Sequence, residues 1–189
     1  RHRLARGRFD RWRSWAAACH TVELNLAAIC DALAGELPER EAVVYRDRRL
    51  TWATFGERCR RFANVLADAG LGAHGDLTTS PNHESIHDHV ALYLHNGNEY
   101  LEAMVGSYTA RCAPVNINYR YTASELRHVL TDSDSRVVVY HAAFAPTLAE
   151  VIDQLPDLLL LQVADDSGHA LLPGAVDYEE ALAASTPER

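Results

Sequence analysis

The sequence predicts an α/β fold with a mostly parallel sheet flanked by helices. Three short segments are almost continuously apolar, namely "HVALYL" (89–94), "RVVVY" (136–140) and "LLLLQVA" (158–164). Helical patterns separate them, and strands without polar alternation are typical of parallel sheets that helices cover on both faces. No run of about 18 apolar residues occurs, so the sequence predicts no transmembrane segment.

The first third of the chain predicts a helix, a hairpin and a second helix. In "ELNLAAICDALAG" (23–35), an apolar face is predicted for Leu26, Ile29, Cys30 and Leu33. "EAVVYRDRRLTW" (41–52) predicts two strands joined by a turn at Asp47 and Arg48. In "TWATFGERCRRFANVLADAG" (51–70), a buried stripe is predicted for Phe55, Cys59, Phe62, Leu66 and Ala69. The side chains expected to face water are Glu57, Arg58, Arg60 and Arg61, and Gly70 is expected to end the helix in the left-handed conformation.

The later elements alternate between helix and strand. A helix is predicted over 98–111, with its inward face formed by Leu101, Val105 and Tyr108. "APVNI" (113–117) is the next strand, and a helix then opens at "TASELRHVL" (122–130). Thr122 and Glu125 have the spacing of a capping box, in which the side chain of each residue bonds the backbone of the other. A further helix is predicted over 145–155.

Charge is unevenly distributed along the chain. Residues 1–13 contain six arginines and one aspartate, a net +5, whereas the whole chain has a formal net charge of −8 and the remainder therefore −13. We expect residues 1–21 to be a basic, disordered extension rather than a nucleic-acid-binding arm, because the acidic remainder would repel phosphate. All 18 basic residues are arginine, so the chain contains no lysine.

Cysteine usage favours a reducing compartment. The four cysteines are widely spaced, and none belongs to a C-x-x-C pair: Cys19, Cys30, Cys59 and Cys112. Three of them fall on or near the apolar faces of predicted helices. We expect reduced core thiols in a cytoplasmic protein.

The stretch "HESIHDH" (83–89) raises the hypothesis of a metal site formed by His83, His87 and His89. It matches the H-E-x-x-H pattern of zinc hydrolases, which place that motif inside a long helix. Here a proline precedes the motif and a strand follows within a few residues, so no room remains for such a helix. A solvated polar loop over 72–88 is the favoured alternative, and the metal site stays open beside it.

A polar and aromatic loop follows the predicted strand 113–117. It consists of Asn116, Asn118, Tyr119, Arg120 and Tyr121. Open α/β sheets bind ligands at the carboxyl ends of their strands, so these five residues are candidates for ligand contact. A turn capped by its own side chains is the structural alternative. The glycines of "GLGAHG" (70–75) match a dinucleotide-binding pattern, but a helix precedes them where a strand is required.

Two blocks carry a family resemblance. "LTWATFGERCRRFANVLADAGLG" (50–72) and "DHVALYLHNGNEYLEAMVGSYTARCAPVNINYRYTASELRHVLTDSDSRVVV" (88–139) resemble the amino-terminal region of AMP-forming acyl-CoA synthetases. "APVNINYRYTASEL" (113–126) is the most specific part and resembles fatty-acyl-type members. The resemblance implies that residues 22–189 are a partial amino-terminal AMP-binding domain, with a polar insertion at about 72–88.

The same resemblance implies a reaction and its cofactors. The complete enzyme would use ATP and Mg²⁺ to convert a small-molecule carboxylic acid of fatty-acyl type into an acyl-adenylate, and then transfer the acyl group to coenzyme A. The family's Ser/Thr/Gly-rich phosphate loop and catalytic lysine are not in this sequence. We therefore expect no catalytic residue here, no activity of the 189-residue chain alone, and a missing carboxy-terminal part as its partner. A metal-binding or hydrolytic module, or a non-catalytic scaffold, remains the alternative.

Overall fold

The computed structural model describes residues 25–76, 78–81, 84–155 and 157–188. Three features named above lie outside these residues: the basic extension 1–21, the cysteine at position 19, and His83.

The chain opens with a helix, a hairpin and a long helix. These are α1 (Leu26–Glu36), β1 (Glu41–Tyr45), β2 (Arg48–Thr51) and α2 (Trp52–Asp68). β1 and β2 pair antiparallel, which confirms the hairpin, but the turn lies at Arg46 and Asp47. Arg46 takes a positive φ of 54° there. The hydroxyl of Thr51 accepts a hydrogen bond from Thr54 N at 3.3 Å and so begins α2. Gly70 has a φ of 76°, as predicted for the end of this helix.

A five-stranded parallel sheet forms the centre of the molecule. Its strands are β3 (His89–Tyr93), β4 (Ala113–Asn116), β5 (Ser135–His141), β6 (Leu159–Val163) and β7 (Val176–Asp177). Their spatial order is β4-β3-β5-β6-β7, and every neighbouring pair is parallel. The predicted fold class is therefore confirmed.

Four helices complete the described fold: α3 (Asn98–Thr109), α4 (Ala123–Asp132), α5 (Ala145–Ala149) and α6 (Tyr178–Ala184). At the start of α4, Thr122 and Glu125 form both hydrogen bonds of the predicted capping box. The helix predicted over 145–155 was too long, because α5 makes little more than one turn and a 3₁₀ turn follows at Ile152–Gln154. That turn packs Ile152 and Leu155 against the core under the sheet.

Each face of the sheet has its own hydrophobic core. Alternate residues of β5 point to opposite faces: Val139 joins one core and Val138 the other. The first core lies under α2, α3 and α6 and includes Phe62, Leu66, Ala103, Tyr178 and Leu182. The second lies under α4 and α5 and includes Leu126, Leu130, Ala145 and Leu148. Burial on both faces explains why the strands carry apolar residues continuously.

Three predicted helix faces were partly wrong. In α2, Ala69 is exposed rather than buried, and Arg58 is partly buried rather than facing water. In α1, Leu26 and Ile29 are 53% and 40% exposed, and the buried residue is Ala27. The cause is close packing through small residues, since the Ala34 methyl lies 3.0 Å from the position that a Cβ on Gly56 of α2 would occupy. In α3, Leu101 is exposed, whereas the next residue along, Glu102, is buried in an ionic network.

Candidate functional site at the carboxyl edge of the sheet

Four rings meet where β3, β4 and β5 end. We call His95, Tyr119, His141 and Phe144 the carboxyl-edge cluster. The ring centroid of His95 lies 4.7 Å from that of Tyr119 and 4.7 Å from that of Phe144. Tyr119 and Phe144 are stacked at 6.3 Å, and Phe144 also contacts the buried Tyr93 at 4.6 Å. Since the carboxyl ends of parallel strands share one edge, residues far apart in sequence form a single patch.

Backbone hydrogen bonds fix the loops that carry these rings. The backbone N–H of His95, two residues after β3, donates to Nδ1 of His141 at 3.1 Å. After β5 the chain forms a short 3₁₀ turn, Ala142–Phe144, which places the Phe144 ring over the edge. The carboxylate of Asp165, beyond β6, accepts hydrogen bonds from Ala143 N at 2.8 Å and Ser167 N at 2.9 Å. The edge is thus held together across three strand ends.

The charged groups at this edge affect one another. Burial lowers the pKa of His141, and the nearby His95 and Arg46 lower it further, while Asp165 acts in the opposite direction. Burial would raise the pKa of Asp165, but its hydrogen bonds from Ser167 and Ala143 outweigh that effect and leave the pKa below its ordinary value. At neutral pH the edge therefore holds an aspartate beside a neutral His141, with an arginine from the β1–β2 turn nearby.

The five candidates after β4 take different positions. Asn116 is exposed at the end of β4, and Asn118 accepts a hydrogen bond from Arg120 N at 3.0 Å, as the turn alternative predicts. Tyr119 is 41% exposed, and of these five it is the residue whose ring belongs to the cluster. The guanidinium of Arg120 lies 5.4 Å from the centre of that ring, and Tyr121 packs against the second core. Their contact with a ligand stays a prediction.

Three members of the cluster were missed by the sequence analysis: His95, His141 and Phe144. Each lies within about four residues of the carboxyl end of an apolar strand, in "HVALYLHN" (89–96) or "RVVVYHAAF" (136–144). The rule that selected the loop after β4 would have selected them as well, had it been applied to every strand.

The histidine-rich stretch lies at the opposite, amino-terminal end of β3. His87 Nδ1 contacts the carbonyl oxygen of Arg111 at 2.6 Å, just beyond α3. His89 Nδ1 contacts the carbonyl oxygen of Ser133, which caps α4, and its Nε2 lies 2.9 Å from Ser85 Oγ. Both histidines thus contact backbone carbonyl groups at or just beyond the carboxyl ends of helices.

The stretch is less solvated than the sequence predicted. Ile86 is buried, and residues 73 and 87 form an antiparallel bridge that folds the loop against the domain. Asp88 accepts hydrogen bonds from Gly72 N at 2.9 Å and from His74 Nε2 at 2.6 Å. Within the described ranges, no three His, Cys, Asp or Glu side chains are grouped so that they could hold a metal ion.

The described cysteines are free thiols: Cys30, Cys59 and Cys112. Burial raises the pKa of Cys59 well above its ordinary value and that of Cys112 to about 11. Both are therefore protonated at neutral pH, and they act as core side chains rather than nucleophiles.

Comparison with known proteins identifies the family. Residues 30–187 match the family model described as AMP-binding enzyme. The chain belongs to this family. Its structure also superimposes on an anthranilate CoA ligase in complex with anthranoyl-AMP with a TM-score of 0.73, at 16% identity, over 92% of this chain and 30% of that one. At that identity the superposition establishes the shared fold.

Curated relatives of this AMP-binding chain include acyl-CoA ligases. A medium-chain acyl-CoA ligase of Mycobacterium avium is 46% identical over 164 residues, which cover 86% of this chain and 30% of the relative. A medium/long-chain fatty-acid and 3-oxocholest-4-en-26-oate CoA ligase of Mycobacterium marinum is 30% identical over 171 residues, covering 89% and 28%. The chain thus spans less than a third of these relatives and corresponds to their amino-terminal part.

No helix in the described part of this AMP-binding chain is long and apolar enough to cross a membrane.

Proposed function

We propose that this chain is the amino-terminal portion of an AMP-forming fatty-acid CoA ligase. The complete enzyme activates a carboxylate with ATP to acyl-AMP and transfers the acyl group to coenzyme A. The observation that carries this proposal is the 46% identity to a medium-chain acyl-CoA ligase across 86% of the chain. Medium-chain fatty acids are accordingly the first substrates to test.

The domain division follows the family match. We assign residues 22–189 to a partial AMP-binding domain, with residues 1–21 as a basic extension before it. The match over 30–187 supports the larger segment, and the bend at 72–88 is assigned as an insertion in it. The three free thiols in the described part favour the cytoplasm as the compartment.

The carboxyl-edge cluster is assigned to one wall of the nucleotide and acyl site. ATP and coenzyme A both combine a planar purine with phosphate groups, and the edge offers exposed aromatic rings beside the cations Arg46 and Arg120. Aromatic rings stack on planar groups, and guanidinium groups pair with phosphate. We assign Mg²⁺, together with ATP, to the complete enzyme.

The isolated chain is expected to lack adenylation activity. Stabilising the charge that develops on a reacting carboxylate and triphosphate requires cations and oriented N–H donors. The chain has no lysine and lacks the family's phosphate loop. Its part in catalysis is to position substrate, while the charged catalytic groups come from the carboxy-terminal part.

A chimeric enzyme tests the proposal. Residues 30–187 replace the matching segment of the Mycobacterium avium ligase, and acyl-CoA formation from ATP, coenzyme A and medium-chain fatty acids is measured. We expect an active chimera, because the segment supplies the same scaffold and wall. The parent ligase without the segment is the control. A folded chimera that forms neither acyl-AMP nor acyl-CoA contradicts the proposal and favours a non-catalytic scaffold.

A further inference from the structure

One hydrogen bond joins two strand ends of the carboxyl-edge cluster. The backbone N–H of His95 donates to Nδ1 of His141 at 3.1 Å. An imidazole nitrogen accepts only when it carries no proton, so His141 is in its neutral form with the proton on Nε2. The bond exists in one protonation state of His141 and not in the other.

This bond attaches the loop between β3 and α3 to the end of β5. The loop runs from Leu94 to Gly97, and His95 is its second residue. The His95 ring packs on Tyr119 and Phe144 at 4.7 Å each, so its place depends on where its own backbone is held. At the far end of the loop, a Cβ on Gly97 would lie 3.7 Å from Cε1 of Tyr45 in β1.

Groups from three other elements face the His141 ring. His95 follows β3, Arg46 lies in the β1–β2 turn, and Asp165 follows β6. From the turn that follows His141, Phe144 meets the His141 ring edge-on, with 6.3 Å between the ring centroids. Burial disfavours the charged ring most, and His95 and Arg46 add to this, whereas Asp165 favours the charged ring.

We propose that His141 is a positioning residue: its neutral ring holds the His95 loop against Tyr119 and Phe144, and protonation releases that loop. A proton added to Nδ1 points at the His95 N–H, so the two donors repel and the hydrogen bond is lost. The released His95 ring leaves the exposed face of Tyr119 open. The importance of this movement for ligand binding rests on the proposed function, but the movement itself does not.

The pH dependence has a definite sign. The pKa of His141 is lowered from its ordinary value of 6.5, so the neutral ring is favoured in the folded protein. The loop is held above this lowered pKa and is released as the pH falls through it. The stability that the neutral ring contributes is complete above 6.5 and declines as the pH falls from 6.5 to the lowered pKa.

Nuclear magnetic resonance on the 189-residue chain tests the proposal directly. The imidazole nitrogen shifts of His141 report which nitrogen carries the proton, and amide exchange at His95 reports whether its N–H is bonded. We expect the Nε2–H form at neutral pH. We also expect protection of the His95 amide, corrected for intrinsic exchange, to fall roughly three- to tenfold when His141 becomes charged, the effect of one hydrogen bond.

Two variants separate the role of residue 141 as a hydrogen-bond acceptor from its titration. His141→Asn places an amide oxygen near the position of Nδ1, so it should keep the His95 amide protected and remove the pH dependence. His141→Leu removes the acceptor, so the protection should be low at every pH. His128→Asn, an exposed histidine on α4, is the matched control and should leave the wild-type titration unchanged.

Three results would overturn the proposal. The first is an Nδ1–H tautomer of His141 at neutral pH. The second is full protection of the His95 amide in His141→Leu. The third is protection of the His95 amide that does not change as His141 titrates. None of these readouts depends on catalysis. An inactive chimera with a pH-dependent His95 amide rejects the proposed function alone, and an active chimera with an insensitive amide rejects the positioning role alone.

Discussion

The carboxylate of Glu102 is fully buried, and Nε of Arg58 donates to it at 2.8 Å. The same carboxylate accepts hydrogen bonds from Asn98 Nδ2 at 2.9 Å and from the Tyr178 hydroxyl at 3.2 Å. The guanidinium of Arg58 also binds both oxygens of Glu179, at 2.9 and 2.6 Å. One ionic network therefore joins α2, α3 and α6 on the first-core side of the sheet.

Removing the arginine of this network should destabilise the fold strongly. In Arg58→Met the Glu102 charge stays buried with only two neutral donors, so we expect the free energy of unfolding to fall by about 3 kcal/mol. Urea denaturation measures the loss. Arg49→Met is the control. Because Arg49 pairs with Glu41 at the surface, this substitution should lower the free energy of unfolding by less than about 1 kcal/mol. Equal losses in the two variants would contradict a structural role for the buried pair.

Gly106 lies at a close approach between α2 and α3. A Cβ at this position would lie 2.7 Å from Phe62 Cδ1 and 2.8 Å from the carbonyl oxygen of Cys59. Gly106→Ala should therefore force the helices apart and lower the free energy of unfolding by about 1–3 kcal/mol.

Gly35 provides the opposite case for the same substitution. It lies in α1 with nothing within 4 Å of its would-be Cβ. Gly35→Ala should stabilise the chain by about 0.5–1 kcal/mol through helix propensity. Thermal unfolding of the two variants should therefore shift in opposite directions. A stabilised Gly106→Ala variant would show that α2 and α3 are not packed as described.

Asp165 should affect both the stability of the folded chain and the pH at which His141 titrates. Its pKa lies below the ordinary 3.8, so its contribution to stability is complete above 3.8 and is lost as the pH falls through the lowered value. Asp165→Asn should thus be less stable than wild type at neutral pH, and the difference should shrink in acid. Because Asp165 favours the charged ring, the variant should also titrate His141 at a lower pH, which nitrogen shifts measure. A titration point moved upward would contradict this assignment.

Tyr119 offers a test of the wall assignment in the chimera. Tyr119→Leu removes the exposed ring of the cluster, and we expect kcat/KM for acyl-CoA formation to fall by roughly three- to tenfold, the effect of one aromatic contact. Tyr119→Phe keeps the ring and should stay close to the parent chimera. Unchanged kcat/KM in Tyr119→Leu, measured by steady-state kinetics, would remove this residue from the substrate site.

Local signals predicted the elements of the fold well. Continuously apolar strands such as 136–140 identified a sheet covered on both faces, and Thr122 with Glu125 identified a helix start. These features depend on neighbours in sequence, so the sequence is sufficient to read them. The left-handed Gly70 belongs to the same group.

Contacts between distant segments were the part that sequence could not supply. Arg58 was expected to face water, yet its partners lie 44 and 121 residues away. The exposed face of α1 was misassigned because periodicity alone does not show that Ala34 packs on Gly56. In the candidate site, His95 and His141 are 46 residues apart and meet only because β3 and β5 are neighbours in the sheet.

Carboxylate-dependent exchange of pyrophosphate into ATP, measured on the 189-residue chain alone and on the chimera, tests the substrate-positioning role most directly. We expect no exchange by the chain alone and clear exchange by the chimera with medium-chain fatty acids. Exchange by the isolated chain, or a folded chimera that shows none, would contradict the claim that this sequence is the amino-terminal, substrate-positioning part of a CoA ligase.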